Sequence, residues 1–558
     1  MSGRKRRCAE EGGVVKPWGG RLAVALVYPN TFFHGMSNLG FQYVYHFFSQ
    51  CEETLCERFF LPDPREKRAR LASCESGRPL ADFDLICFSI SFENDYLNLP
   101  RLFELARLPL WARERDSRHP LLVCGGVVAF LNPEPLADIM DVFALGDGEL
   151  LLPELLEAVL TEGAREHLLE TLARMEGFYV PRFWADARGQ GGGFQALRPG
   201  MVRPRRRWLR DLNSSSCRSF LFCKGSEFAD LGLVEVSRGC GRGCRFCAAG
   251  HIYRPPRERA PEVLAQDLEA MRPFRSRFGL VGAAISDYSR LPELFAEVDR
   301  RKGDFSVSSV RIDSLGAELV QRLASSGQRT LALAPEAGSA RLRAVINKGI
   351  TEEQIEKAIV LAMAAGIVNL KLYFLNGLPT ETDEDIEEMV RLTYKIHAIW
   401  MEEGKKKGCL GNLVLSVNPF VPKPFTPFQW EGMMPLAILK ARNARLRAAI
   451  APLGRTEIFF ESLRSAEIQA RLSRGDRAVA RLLPALGRGQ SLKDTCREQG
   501  MDPAFYVSRR ADRDEVFPWE VIDCGIDREY LWKEHEKGLQ MQISPACRDA
   551  CQHCGVCR

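Results

Sequence analysis

The stretch RGCGRGCRFCAAG, residues 238–250, decides the fold and the chemistry of this chain. It follows the apolar run LGLVEVS and places Cys240, Cys244 and Cys247 in the spacing C-x3-C-x2-C. Thiolates are soft donors that suit iron, and a glycine-rich loop lets three of them converge on one cluster. Three thiolates leave one iron of a [4Fe–4S] cluster as an open coordination position. A structural zinc site, for which His251 is the nearby fourth ligand, and unliganded thiols are the alternatives.

Strand and helix patterns alternate around this loop. Apolar runs between residues 231 and 450 are typical of strands, and stretches such as APEVLAQDLEAM have the spacing of helices. The strand candidates are LGLVEVS, GLVGAAIS, SVSSVRI, TLALAPE, NLKLYFLNG and NLVLSVNPF. Six such units are too few for a closed eight-fold barrel, so the pattern predicts a partial (β/α)6 barrel with sites at the carboxyl ends of its strands.

The cysteine spacing, with the aromatic Phe246 before the last cysteine and a strand before the first, closely resembles the radical S-adenosylmethionine (SAM) superfamily. The resemblance implies that the open iron chelates the amino and carboxylate groups of SAM. Reductive cleavage then yields methionine and a 5′-deoxyadenosyl radical, which abstracts hydrogen from a substrate. Phe246 is accordingly expected beside the cofactor.

Later segments resemble the SAM-contacting segments of the same superfamily. Ser286 and Asp287 in AISDYS follow the second strand, where relatives contact the SAM amino group, although the usual Gly-Gly-Glu is absent. Glu336 in LAPEAGS follows the fourth strand, where an acidic side chain bonds the ribose hydroxyls. Gly377 and Pro379 shape LYFLNGLPTET, which resembles the strand and loop beside the adenine. For Asp287 an ordinary helix cap is the alternative.

The segment before the barrel predicts a second α/β unit. Short apolar runs such as LAVALVYP and FDLICFSIS alternate with helical stretches over residues 21–160, which indicates a doubly wound, Rossmann-like domain with a parallel sheet. Glycines at residues 125–126 and 146–148 fall at strand ends, where such folds bind ligands. A domain of this kind before the barrel resembles the cobalamin-binding class of radical SAM enzymes. The Asp-x-His-x-x-Gly motif, which supplies a lower cobalt ligand in other cobalamin proteins, is missing. The domain is therefore compatible with two alternatives: it binds cobalamin, or it has lost that ability.

The end of the chain predicts a second metal site. CRDACQHCGVC places four cysteines in the spacing C-x3-C-x2-C-x2-C: Cys547, Cys551, Cys554 and Cys557. Four thiolates satisfy either a second iron–sulfur cluster or a zinc ion, and the dense spacing favours iron–sulfur. The tail, residues 541–558, follows a small helical module over residues 451–540. The tail and the motif YPN…GMSNLGFQ resemble an uncharacterised radical SAM subfamily with a cobalamin-type domain.

The remaining features are less specific. The chain has 77 basic and 72 acidic residues, a balance that gives no general argument for a polyanionic partner. Residues 1–20 are predicted to be a disordered tail without the apolar core of a secretory signal, which predicts a cytoplasmic protein. Residues 161–230 are predicted to be a linker with a hairpin. They hold a run of five arginines that suits either phosphates or a solvated linker: Arg203, Arg205, Arg206, Arg207 and Arg210.

Together these patterns predict an enzyme, a transferase that cleaves SAM and moves a methyl or methylthio group onto an unidentified substrate. RNA, a protein or a small molecule would serve as substrate, and flavodoxin or ferredoxin as electron donor. The alternative is an iron–sulfur electron-transfer protein with a catalytically silent barrel.

Overall fold

The structure, a computed structural model, describes residues 12–63, 70–188, 192–307, 310–547 and 551–557. Residues 1–11 of the predicted disordered tail and residues 189–191 of the predicted linker lie outside the described residues. No helix in the described ranges is both long and apolar enough to cross a membrane.

The first domain is built on a mostly parallel sheet with the strand order β2-β1-β3-β4-β5-β6. Its strands are β1 (Leu22–Tyr28), β2 (Thr54–Phe60), β3 (Leu85–Ser89), β4 (Leu121–Gly125), β5 (Val142–Ala144) and β6 (Phe178–Tyr179). Helices cover both faces: Phe32–Gly35, Leu39–Gln50, Leu99–Ala106, Val127–Leu131, Gly148–Thr161 and Arg165–Ala173. Burial on both faces explains why most of these strands are continuous apolar runs. The doubly wound architecture predicted from the sequence is confirmed.

Two strands of this sheet differ from the prediction. The β2 strand contains Glu57 and Arg58, which break the apolar run, yet both side chains are buried. Arg58 is neutralised by an ion pair with Glu75 at 2.7 Å, and Glu57 accepts from the Trp18 indole at 2.9 Å. The β6 strand is antiparallel to β5, whereas a parallel sheet was predicted. It lies past residue 160, in the range predicted to be a linker.

Two short pieces of sheet lie between the domains and beside the cysteine loop. β7 (Trp184–Asp186) and β8 (Phe194–Ala196) form the predicted hairpin. β10 (Ser237–Arg238) and β11 (Arg257–Glu258) form a second small ladder that brackets the cysteine loop. The loop is therefore fixed at both of its ends by backbone pairing.

The second domain is a partial parallel barrel made of two adjoining sheets. The first sheet contains β9 (Gly232–Glu235), β12 (Arg277–Val281) and β13 (Asp304–Val307). The second contains β14 (Thr330–Glu336), β15 (Asn369–Asn376), β16 (Leu413–Pro419) and β17 (Thr456–Phe460). The helices between strands are Ala249–Ile252, Pro261–Met271, Leu291–Arg300, Ala317–Ser325, Ala340–Val345, Glu352–Ala364, Asp383–Lys407 and Leu436–Ile450. In β15 and β16 fully buried residues alternate with half-buried ones, so one face packs on helices and the other lines an open interior.

The barrel extends one strand beyond the six predicted units. β17 pairs in parallel with β16 and lies within residues 451–540, which were predicted to be a helical module. Its sequence TEIFF is only half-buried at the sheet edge, so it lacks the long apolar run that marked the other strands.

The C-terminal module packs on the first domain. Its α-helices are Leu463–Arg474, Leu483–Gly487, Leu492–Glu498 and Arg528–Leu539. The Asn132 amide donates to Ser473 O at 3.0 Å, and Arg477 pairs with the buried Glu134 at 2.9 Å. The apolar side chains of the module and of the first sheet form one continuous core, while the barrel has a core of its own.

Candidate functional site

The cysteine loop leaves the barrel at the carboxyl end of β9. Gly239 has a left-handed φ of +86°, and a Cβ there would lie 2.5 Å from Tyr253 O, so only glycine fits. The backbone amides of Arg242 and Gly250 donate to the sulfurs of Cys240 and Cys247. The loop therefore carries three thiols within eight residues, and amides of the same segment donate to two of their sulfurs, as they do at iron–sulfur sites.

The environment of Cys240 and Cys247 disfavours their deprotonated, thiolate form. Burial raises the pKa of Cys247 to about 11, and the charge of Cys244 raises it further, while the Gly250 amide lowers it. Burial also raises the pKa of Cys240. A metal centre that replaces the protons removes this penalty, because it binds only the deprotonated thiols. The donor set thus fits a [4Fe–4S] cluster with one open iron.

His251, the candidate fourth zinc ligand, is fully buried beside the loop. Its Nδ1 lies 3.0 Å from Cys247 O, and burial together with Arg254 lowers its pKa to about 3. Within the described ranges, no three His, Cys, Asp or Glu side chains close around a single metal ion. The structure therefore places His251 against the backbone of the loop.

Asp287 lies behind the cysteine loop and pairs with it. Its two carboxylate oxygens each accept from the Arg242 guanidinium at 2.9 Å. Burial raises the pKa of Asp287, but the hydrogen bonds from Arg242 and Ser314 outweigh it and hold that pKa below its ordinary value. Ser286 Oγ accepts from the Arg311 amide at 3.0 Å. Asp287 thus positions the loop, and its contact with SAM stays a prediction.

Glu336 lies at the end of β14, close enough to Cys247 for its charge to raise the pKa of that thiol. Lys348 Nζ donates to its carboxylate at 3.1 Å, and burial raises the pKa of Glu336 in spite of that lysine. Its φ of +66° is unusual for a non-glycine residue. Strain of this kind persists where the surrounding structure fixes a side chain, as at functional sites.

The predicted adenine and aromatic positions lie at the same end of the barrel strands. Gly377 follows β15 with a φ of +87°, and its amide donates to Glu381 Oε2 at 2.6 Å. Pro379 lies two residues further on. Phe246 packs against a small buried cluster that includes Leu342, Leu378 and other apolar residues near these loops. Their contact with SAM stays a prediction.

A cavity of about 740 Å³ lies between the strand ends of the first domain and the start of the barrel. Both predicted glycine loops line it. The other lining residues include Ser89, Ser91, Tyr43, Gly239, Ser237 and Val281. Gly126 allows a close approach, since a Cβ would lie 2.4 Å from Ile90 O. The cavity therefore joins the ligand-binding edge of one domain to the mouth of the other.

Ion pairs fix the two walls of this cavity to each other. Asp147 binds Arg238 at 3.1 Å and Arg257 at 2.7 Å, and Glu149 binds Arg238 at 2.7 Å. Sequence reasoning placed residues 146–149 in a ligand loop but missed these arginine partners. The arginines on both sides of the cysteine loop were the feature of the sequence that could have indicated these ion pairs.

The arginine run is only partly available to a ligand. Arg206 is buried and donates to Arg254 O at 2.6 Å, and Arg207 pairs with Glu154. Arg203, Arg205 and Arg210 are exposed. Two of the five arginines thus serve the packing of the chain.

The tail cysteines lie apart from those of the loop along the sequence but next to them in space. Cys554 is buried, Cys547 and Cys551 are half-buried, and Cys557 is exposed. The Cys547 amide donates to Gly241 O, in the middle of the loop, at 2.7 Å.

Comparison with known proteins matches both domains. Residues 40–181 match the family described as "Radical SAM proteins, N-terminal", and residues 234–393 match the "Radical SAM superfamily". A Methanocaldococcus jannaschii protein, "Uncharacterized protein MJ0966", is 30% identical over 82% of this chain and 90% of its own length. "Ribosomal protein uS12 methylthiotransferase RimO" of Thermodesulfovibrio yellowstonii is 25% identical over 28% of this chain and 40% of that protein.

Among solved structures, the fold resembles that of "radical S-adenosylmethionine methyltransferase, TsrM, from Kitasatospora setae with cobalamin and [4Fe-4S] cluster bound". The TM-score is 0.51 at 14% identity, over 86% of this chain and 99% of that one. This likeness concerns the fold alone. From the two family matches and the full-length relative, we conclude that the chain belongs to the radical SAM superfamily, in one family with the Methanocaldococcus protein.

Proposed function

We propose that this protein holds a [4Fe–4S] cluster on Cys240, Cys244 and Cys247, binds SAM at the open iron and transfers a methyl or methylthio group. When bound, the cluster and SAM supply a 5′-deoxyadenosyl radical. The chain contributes the three thiolates, and the amides of Arg242 and Gly250 stabilise two of them. The pair Arg242–Asp287 fixes the loop.

Glu336 is proposed to contact the ribose of SAM. It lies beside Cys247, it is held by Lys348, and its backbone conformation aims it from a strand end. A buried carboxylate with a cationic neighbour accepts hydrogen bonds from hydroxyl groups strongly. Gly377 and Pro379 lie on the loop after the next strand, where the adenine is proposed to pack.

The proposal of methyl transfer depends on the cavity between the domains. A large planar cofactor in this cavity could face the interior of the barrel. We propose that cobalamin binds there. Its walls combine apolar side chains with glycine loops that let backbone amides approach a ligand. TsrM, which has a similar fold, is described with cobalamin and a [4Fe–4S] cluster bound, which supports the proposal.

The first test is SAM cleavage under anaerobic conditions. The reconstituted protein is incubated with SAM and dithionite, and 5′-deoxyadenosine is measured for the wild type, Cys240→Ala/Cys244→Ala/Cys247→Ala and Cys409→Ala. We expect product from the wild type and from Cys409→Ala, whose thiol is exposed and free, and none from the triple variant. Iron without any product would instead support the electron-transfer alternative.

The second test is cobalamin binding, measured by absorbance after gel filtration. Gly125→Leu adds a side chain on the cavity wall without a backbone clash, since the nearest atom to its Cβ is 3.9 Å away. Gly163→Leu is the matched control in an exposed turn with nothing near its Cβ. We expect Gly125→Leu to lose cobalamin and Gly163→Leu to keep it. Equal binding by both variants would exclude this cavity.

We propose that the substrate is an RNA, a protein or a small molecule. Reduced flavodoxin or ferredoxin is proposed as the electron donor. An RNA substrate would use the exposed Arg203, Arg205 and Arg210. RNA binding through these residues should weaken steeply as salt increases, because each phosphate contact releases counterions. If the protein does not bind RNA even at low salt, RNA is excluded as the substrate, and proteins and small molecules remain.

A further inference from the structure

The C-terminal tail runs along the cysteine loop before it reaches its own cysteines. The Cys547 amide donates to Gly241 O at 2.7 Å. The Asn347 side chain bridges the two segments, donating to Gly243 O at 3.1 Å and to Ser544 O at 3.2 Å. It also accepts from the Ser544 amide at 2.9 Å. The tail is thus held by backbone atoms of the loop that carries the first three thiols.

A loop arginine reinforces this contact. Arg245, between two of the loop cysteines, has a fully buried side chain that donates to Gln542 O at 2.7 Å. The same guanidinium pairs with Glu534 at 3.1 Å and donates to Val345 O at 3.0 Å. A buried arginine with this many partners holds the base of the tail in one place.

The four tail thiols follow one another within eleven residues at the end of this segment. Cys554 is 2% exposed, and its carbonyl accepts from the Asp527 amide at 2.8 Å. Cysteines bind metals as thiolates, so four of them in one short segment form a donor set for a metal centre.

One buried cation lies between the two sets of cysteines. Arg254 is 4% exposed; it donates to Tyr530 Oη at 2.9 Å and to the sulfur of Cys554. Its Nε also donates to Gly250 O at 2.8 Å. Gly250 is the residue whose amide donates to the sulfur of Cys247. A short chain of contacts therefore runs from a loop thiol through Gly250 and Arg254 to a tail thiol.

We propose that Cys547, Cys551, Cys554 and Cys557 bind a second [4Fe–4S] cluster that is docked against the first site. The four cysteines lie within eleven residues, a density typical of the cysteine runs of iron–sulfur proteins. Zinc carries no redox chemistry, and the contact with a redox loop therefore selects a one-electron centre. A cavity of about 810 Å³ beside Cys547 and Cys551 leaves this site accessible from outside.

The role of this site rests on the proposed function. Reduced flavodoxin or ferredoxin gives one electron to the tail site, and the tail site passes that electron to the loop site. There the electron is consumed in breaking one carbon–sulfur bond of SAM. The donor is oxidised by one electron for each SAM cleaved, and no proton is required.

The test compares metal content in the full-length protein. Wild type, a variant with all four tail cysteines changed to Ala, and the loop triple variant are reconstituted with iron and sulfide. We expect about eight irons in the wild type and about four in each variant. Electron paramagnetic resonance of the reduced samples should show two distinct signals in the wild type and one in each variant. About four irons with one zinc in the wild type, or unchanged iron in the tail variant, would overturn the proposal.

A second variant keeps every thiol. Arg254→Met removes the cation beside Cys554, and we expect the midpoint potential of the tail signal to become more negative while that of the loop signal shifts less. An unchanged tail potential would contradict this assignment. Dithionite-driven 5′-deoxyadenosine formation tests the proposed function separately: the tail variant should retain it, but should lose cleavage driven by reduced flavodoxin.

Discussion

The cysteine loop and the C-terminal tail contain the same C-x3-C-x2-C spacing and differ in the residues after it. The loop stops after Cys247 and enters a helix in the mouth of the barrel, whereas the tail adds Cys557 and lies outside it. Three thiolates leave an iron for a substrate, while four close the coordination of a cluster. On the proposed assignments, one added cysteine separates a reactive site from a closed one.

The two segments also differ in their supports. The loop is fixed locally by the β10–β11 ladder and by Gly239, and from the barrel by the pair of Arg242 with Asp287. The tail is fixed by the loop, through Arg245 and the Gly241 carbonyl, and by Asn347 of the barrel. The position of the tail therefore depends on the loop and on Asn347.

The largest expected effect is on SAM cleavage when one cysteine of the loop, or one cysteine of the tail, is replaced. Cys244→Ala should abolish dithionite-driven SAM cleavage, because it removes a ligand of the open-site cluster, whereas Cys554→Ala should leave it intact. Both cysteines are buried, so packing losses are matched. The readout is 5′-deoxyadenosine per protein. Loss in both variants would mean that the two sites do not act separately.

The next effect concerns stability. Arg245→Met removes one of the two cationic partners of the buried Glu534, which keeps Lys537 at 2.8 Å, and it unlinks Gln542, so it should cost about 1–3 kcal/mol. Thermal unfolding checks this, with Arg118→Met as the control, since Arg118 is a highly exposed arginine. A variant as stable as the wild type would contradict the role of Arg245.

Local patterns allowed most of the fold to be predicted. The cysteine loop, the apolar strands and the doubly wound first domain follow from spacing and periodicity alone. β2 was missed because Glu57 and Arg58 are buried with charged partners distant in sequence, such as Glu75. β17 was missed because an edge strand needs few apolar residues.

The candidate site was predictable in its ligands but not in its supports. Asp287 and Glu336 stand after strands, which the sequence indicates. Their partners Arg242 and Lys348 are recognised only when the chain is folded. The bridge from Asn347 to Ser544 joins residues 197 positions apart, and nothing in the sequence pairs them. Contacts of this kind depend on packing, which periodicity does not encode.

A smaller effect sharpens the dependence of the tail on the loop. Asn347 has a left-handed φ of +54°, so Asn347→Gly removes the bridging amide without adding backbone strain. The loss of its hydrogen bonds should cost about 1–2 kcal/mol, felt mainly by the tail. Hydrogen exchange should become faster around Ser544 and Cys547 and stay unchanged in β9. Equal acceleration in both would show that the loop depends on the tail as well.

The smallest effect concerns the loop alone. The pair Arg242–Asp287 is partly exposed, so Asp287→Asn should cost about 0.2–1 kcal/mol. The pKa of Asp287 is below its ordinary value in the folded protein, so its contribution is present near neutral pH and is lost as pH falls through the folded pKa. The stability difference between wild type and variant should therefore shrink in acid. At neutral pH the loop signal in electron paramagnetic resonance should weaken while the tail signal stays, because Asp287 supports only the segment with three thiols.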